Sequence, residues 1–168
     1  YAMHNGPGLA VGKFITSPGI RTAAGAFFDI HITGKGGHGA HPDKTVDPVI
    51  VAANLITALQ TIVSRSINPS ETAVLSVTQM HAGDAYNVIP GTARLSGTVR
   101  TLSVKLLEKI EKRIETLIEG TALAFGAEVA LDFRIIFHPV INDVDVTARA
   151  AEVCDALVGA DNVIRQAP

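Results

Sequence analysis

The stretch AFFDIHIT, residues 26–33, alternates apolar and polar side chains: Phe28, Ile30 and Ile32 fall on one face, Asp29, His31 and Thr33 on the other. A period of two over this length marks a half-buried strand. Downstream, four glycines (Gly34, Gly36, Gly37, Gly39) make a flexible loop that ends at Pro42. Asp47-Pro48 then reads as a helix start, with Asp at the N-cap and Pro in the first turn. Val49, Ala53, Ile56, Leu59 and Val63 recur at helical spacing and predict its buried stripe. Asn68-Pro69-Ser70 ends that element. Strands follow at about 73–80 and 92–100, the latter with Ala93, Leu95 and Val99 inward. Ser103 opens a second helix whose stripe is Leu107, Ile110, Ile114, Leu117, Thr121 and Phe125, with Gly126 as C-terminal cap. A fourth strand turns Val129, Leu131, Phe133 and Ile135 inward and stops at Pro139.

The order from Ala26 to His138 is therefore β-α-β-β-α-β. This predicts an α+β, ferredoxin-like unit: a four-stranded antiparallel sheet with two helices on one face. Its span is 25–138. Residues 1–24, with a short strand in GKFITS, and 139–168, with a helix capped by Asp143, stand outside it. Such a unit reads as an insertion into a larger α/β host domain, and both ends of the chain are expected to be cut edges of a longer protein.

Composition narrows the function. The chain has 168 residues, 47% hydrophobic and 18% charged, with a net charge of −2. That balance is globular and carries no electrostatic footprint for nucleic acid or an anionic membrane. No apolar run is read as reaching membrane-spanning length. An RNA-reading sheet needs exposed aromatics and a basic surface, and the chain has no Trp. The single cysteine, Cys154, excludes an internal disulfide and fits a reducing, cytoplasmic location.

Three clusters carry possible chemistry. In Gly36-Gly37-His38-Gly39-Ala40-His41-Pro42, a histidine in a close-approach loop can donate a hydrogen bond to a developing oxyanion. In Asn87-Val88-Ile89-Pro90 with Arg100, an amide can hold a carbonyl oxygen and a guanidinium can fork onto a carboxylate. In Tyr1-Ala2-Met3-His4-Asn5, His4 is a lone candidate metal ligand, and one ligand is not a site. On chemistry alone each has a plainer reading as a solvated loop, a turn cap or a sheet-edge arginine. His31, His81 and His138 take that plain reading as well.

Together, in this order and spacing, the motifs MHN, GKGGHGAHP, DPV at a helix start and NVIPGTARLSGTVRT resemble the zinc-dependent peptidase and amidohydrolase family that includes hippurate hydrolase, auxin-conjugate hydrolases and carboxypeptidase G. The match runs from Tyr1 to about Thr101; beyond that it is one of topology. The resemblance implies a lid and dimerisation domain inserted in a catalytic domain, with 1–24 and 139–168 as the ends of that catalytic domain. It also implies a homodimer through the lid and hydrolysis of an N-acyl amino acid, peptide or related amide. His38 would polarise the scissile carbonyl, reaching the partner subunit's active site. Asn87 would bind substrate or oxyanion, Arg100 the substrate carboxylate, and His4 a metal. The metal would be divalent: zinc, or else manganese, cobalt or nickel, bound mainly by residues outside this chain. The family's Gly-His-Asp and Glu-Glu motifs and its further downstream His are absent here, so the chain alone is expected to be inactive. Hinges are expected at 19–25 and 139–142, and the dimer interface at the second helix and the edge strand beside it. The competing reading is a stand-alone ferredoxin-like module for small-molecule binding or oligomerisation.

Overall fold

A computed structural model describes residues 1–165. In chain order its elements are β1 (Phe14–Ile15), β2 (Gly19–Thr22), β3 (Ala24–Thr33), β4 (Gly37–His38), α1 (Pro48–Thr61), β5 (Ala73–Ala82), β6 (Val88–Ile89), β7 (Thr92–Thr101), α2 (Val104–Phe125), β8 (Glu128–Phe137), β9 (Val140–Asn142), α3 (Val144–Val158) and β10 (Val163–Ile164). They divide into two compact units, Ala23–Pro139 and residues 1–22 with 140–165.

In the first unit, β5, β7, β3 and β8 lie side by side in that order, every pair antiparallel. This is the ferredoxin-like sheet expected from the alternating pattern. Phe28, Ile30 and Ile32 of β3 and Leu95 and Val99 of β7 are buried against α1 and α2. Each such side chain contributes roughly 1.5–3 kcal/mol of burial. From α2 come Leu106, Leu107, Ile110, Ile114 and Ile118. Gly126 ends α2 with φ 69°, the left-handed geometry that favours glycine. Ser103 stands at the N-cap but makes no side-chain cap; its carbonyl accepts instead from the Thr101 hydroxyl at 2.7 Å.

The α1 stripe differs from its sequence reading. Asp47 caps the helix as expected, accepting from the Val49 amide at 2.8 Å. The buried residues, however, are Pro48, Val51, Ala52, Leu55 and Leu59, followed by Ile62. Of the expected stripe, only Leu59 is fully buried; Ala53 is exposed. The helix is apolar almost all round, so several stripes satisfy helical spacing and periodicity cannot choose among them. Beyond Thr61 it continues as a π-turn, Ile62–Ser66. The 19 residues Pro48–Ser66 are, by length and composition alone, enough to cross a membrane, against the expectation that no run reaches that length. Here that run packs on the sheet through Val51, Leu55, Leu59 and Ile62.

A β-bulge interrupts the β3–β8 pairing between Gly25 and Ala26: Ala26 faces Ile135, but Gly25 faces Phe137, with Ile136 the extra residue. In the second unit, β1 pairs with β10 in parallel and β2 with β9 antiparallel. Asp143 caps α3, accepting from the Val146 amide at 2.9 Å.

Candidate functional site

The glycine loop is not free. Its residues Gly37 and His38 form β4 and pair with Ile89 and Val88 of β6. The Gly39 amide donates to the Asn87 carbonyl at 2.8 Å and the Gly34 amide to the Gly91 carbonyl at 2.9 Å. A Cβ on Gly36 would lie 2.8 Å from the Ile89 carbonyl oxygen. The glycines thus admit the neighbouring 87–91 segment, a backbone approach made within the chain itself. The two motifs far apart in sequence are stitched into one corner of the molecule, with His38 and Asn87 both exposed on it.

The imidazole of His38 has a defined polarity. The Ala40 amide donates to Nδ1 at 3.1 Å. A nitrogen that accepts a hydrogen bond carries no proton, so in the neutral ring the proton sits on Nε2. That leaves Nε2–H as an outward donor, the group an oxyanion requires. The His41 ring lies 5.7 Å away, centroid to centroid, tilted by 53°.

Arg100 stands elsewhere. On β7 it pairs with Gly25 of β3, whereas Thr92, close after Asn87, pairs with Thr33 at the other end of the same ladder. Eight residues of strand separate those two ends by roughly 26 Å. Arg100 is half-buried, and its Nη1 donates to Thr98 Oγ1 at 2.6 Å and to the Val99 carbonyl at 3.0 Å. Its guanidinium carbon lies 5.6 Å from the Phe27 ring and 5.2 Å from the Phe137 ring. Sequence reading did not select Phe27, Thr98 or Phe137. Phe27 and Thr98 share the polar face with Asp29 and Arg100, a signal the alternation does contain.

On the same outer face Asp29 accepts from Ser96 Oγ and pairs with Arg134, which also binds Asp132. The Ser96 hydrogen bond, and then Arg134, hold the Asp29 carboxyl below its usual value of 3.8. His31 and His138 are exposed. His81, also exposed, contacts the Gln79 side chain at 3.4 Å.

In the other unit His4 is exposed, with Nδ1 2.6 Å from the Asn5 carbonyl. No group of three or more His, Cys, Asp or Glu side chains gathers among the described residues. One imidazole does not hold a catalytic metal, so the described residues do not fit a metal centre by themselves.

Comparison with known proteins agrees with the fold. A family model described as a peptidase dimerisation domain matches residues 21–125. N-acetyldiaminopimelate deacetylase of Anoxybacillus flavithermus is 40% identical over 146 residues, 87% of this chain and 39% of that protein. A dinuclear metal-binding peptidase of the M20 family from Bacillus subtilis superposes with TM-score 0.71 at 29% identity, over 98% of this chain and 40% of that one. A protein of methicillin-resistant Staphylococcus aureus, provisionally described as an aminohydrolase, gives TM-score 0.81 at 30% identity, over 94% and 40%. The chain spans about two fifths of the length of each of these relatives.

Proposed function

We propose, since the chain belongs to the family of peptidase dimerisation domains, that it is the lid and dimerisation segment of a metal-dependent amidohydrolase acting on N-acyl amino acids or related amides. The similarity to N-acetyldiaminopimelate deacetylases favours an acetylated amino acid as substrate, and the likeness to a dinuclear metal-binding peptidase favours a divalent metal pair. Among the described residues His4 is the one candidate ligand, so the remaining ligands come from the parent protein. Whether these select zinc, manganese, cobalt or nickel depends on those ligands.

One observation carries the reading: the His38–Asn87 corner and Arg100 lie at opposite ends of the same ladder. An N-acyl amino acid, the size of about two residues, spans roughly 7 Å. It cannot touch both ends of one lid. Arg100 therefore clamps the carboxylate in one active site, while His38 and Asn87 reach the scissile carbonyl in another, the partner subunit's. There the Nε2–H of His38 and the Asn87 amide would stabilise the oxyanion. A homodimer turns the separation into two complete sites.

The interface favoured by the surface is α1 with the edge strand β5, rather than α2 with β8 as sequence reading expected. The outward face of α1 shows Ile50, Ala53, Asn54 and Thr57 and no charge before Arg65. The outward face of α2 is crowded with Lys and Glu, and the Glu111 carboxyl is pushed up by burial and by Glu115 and Glu108. Helices that pair apolar faces avoid such crowding, and an edge strand needs cover. In the flanking unit Ile141, Val144, Val153 and Leu157 are exposed, an apolar surface suited to the rest of a catalytic α/β domain. The crossings at 19–25 and 139–142 would then serve as hinges, and the lone Cys154 suits the reducing cytoplasm.

The test is hydrolysis of N-acetyl amino acids, with zinc, cobalt or manganese added, by this chain beside its full-length parent. Activity in the parent alone is expected. Activity in the 168-residue chain would mean a complete metal site within it and would overturn the lid reading.

A further inference from the structure

We infer that Phe27 and Phe137 are positioning residues that bracket Arg100 and present its Nε–Nη2 edge to a substrate carboxylate. The inference rests on the proposed role of Arg100 and goes further, to what gives that arginine its aim.

Strict alternation along β8 puts Val129, Leu131, Phe133 and Ile135 on the helix side, opposite Ile32, Ile30, Phe28 and Ala26. Continued, it would put Phe137 there too. The bulge at Ile136 reverses this and sets Phe137 opposite Gly25, on the outer face. Re-aiming a side chain is what bulges do beside functional sites. The row across three strands is then Arg100, Gly25, Phe137. A Cβ on Gly25 would lie 2.5 Å from Phe137 Cζ and 2.9 Å from Arg100 Nη1. The missing side chain is the gap through which ring and guanidinium meet. Phe27, one step along β3 on the same face, supplies the second ring.

Both phenylalanines are 43% exposed, so burial alone does not account for their placement. Three arginines stand on the outer face, Arg94, Arg100 and Arg134; Arg94 is exposed at the far end of the ladder, and the other two have opposite fates. Arg134 is matched by Asp29 and Asp132. Arg100 has no carboxylate partner among the described residues; its hydrogen bonds all leave from Nη1, to Thr98, Val99 and Ala26. Nε and Nη2 are left as the side-on fork that a carboxylate accepts in parallel. Two cation–π contacts within about 6 Å hold the plane of that fork without neutralising it.

The experiment uses the full-length parent and compares kcat/KM for an N-acetyl amino acid with that for its C-terminal amide, which lacks the carboxylate. Phe137→Leu is expected to lower the acid-to-amide ratio by about three- to tenfold, mainly through KM, as loss of a cation–π contact would. Phe137→Tyr, which keeps the ring, restores it. Phe27→Leu and Phe27→Tyr repeat the comparison should Phe137→Leu fail to fold. Equal ratios in the Leu and Tyr variants would overturn the bracket while leaving Arg100 in its role. An unchanged ratio in Arg100→Ala would remove the role itself, and the bracket with it.

Discussion

The amide of Gly39 donates to the carbonyl of Asn87 at 2.8 Å, binding the histidine loop to the asparagine turn. The backbone of His38 pairs with Val88, and its imidazole accepts from the Ala40 amide at Nδ1. In the full-length parent, His38→Ala should therefore lower kcat by about 10²–10³, the cost of one oxyanion donor, with metal content unchanged. Elemental analysis beside steady-state kinetics checks this. Metal lost in proportion to activity would give His38 a structural part instead.

Ile50→Glu on α1 places a charge on the face proposed to meet its copy, where a buried unpaired charge is strongly unfavourable. Sedimentation velocity of the parent should show monomer for this variant and dimer for Lys112→Glu on α2. The reverse result would return the interface to α2 and β8.

The strands and their order along the chain were legible because Phe28, Ile30, Ile32 and Val129, Leu131, Phe133 alternate without interruption; their order across the sheet was not read from the sequence. The caps at Asp47 and Asp143 and the glycine stop at Gly126 were legible for the same kind of reason: each is a local rule with a local cause. The α1 stripe was not, because Val49, Val51, Ala52 and Ala53 are equally apolar and only the sheet beneath selects among them. Nor was the turn of Phe137, since a bulge is a property of two paired strands and leaves no period in either. His38, Asn87 and Arg100 could be named from motifs, but their separation into two ends needs the β3–β7 register.

Asp29 links the outer face to pH. The Ser96 hydrogen bond and Arg134 hold its carboxyl below 3.8 in the folded chain. A depressed acid contributes stability above its unfolded value, and that contribution is lost as pH falls through the folded value. Asp29→Asn should thus lower Tm at pH 7, and the gap from the natural chain should narrow below about pH 4. Thermal unfolding across pH 3–7 decides it; a gap of constant size would assign the effect to packing.

Gly97 offers the sharpest steric test of the core. It lies between Phe28 of β3 and Val77 of β5, beside the irregular step between Val77 and Gln79. A Cβ there would sit 2.3 Å from Phe28 Cζ and 2.3 Å from the Ser76 carbonyl oxygen. Phe28 is 1% exposed and has nowhere to turn, and the second obstacle is backbone. Overpacking of this kind costs about 1–3 kcal/mol, and more where neither neighbour yields. Gly91→Ala is the control, since nothing lies within 4 Å of its added carbon. Gly97→Ala should lower Tm by several degrees and Gly91→Ala by little. Equal Tm values for the two would mean that β5 and β7 shift apart without cost, and that the ring of Phe28 is not what fixes their spacing.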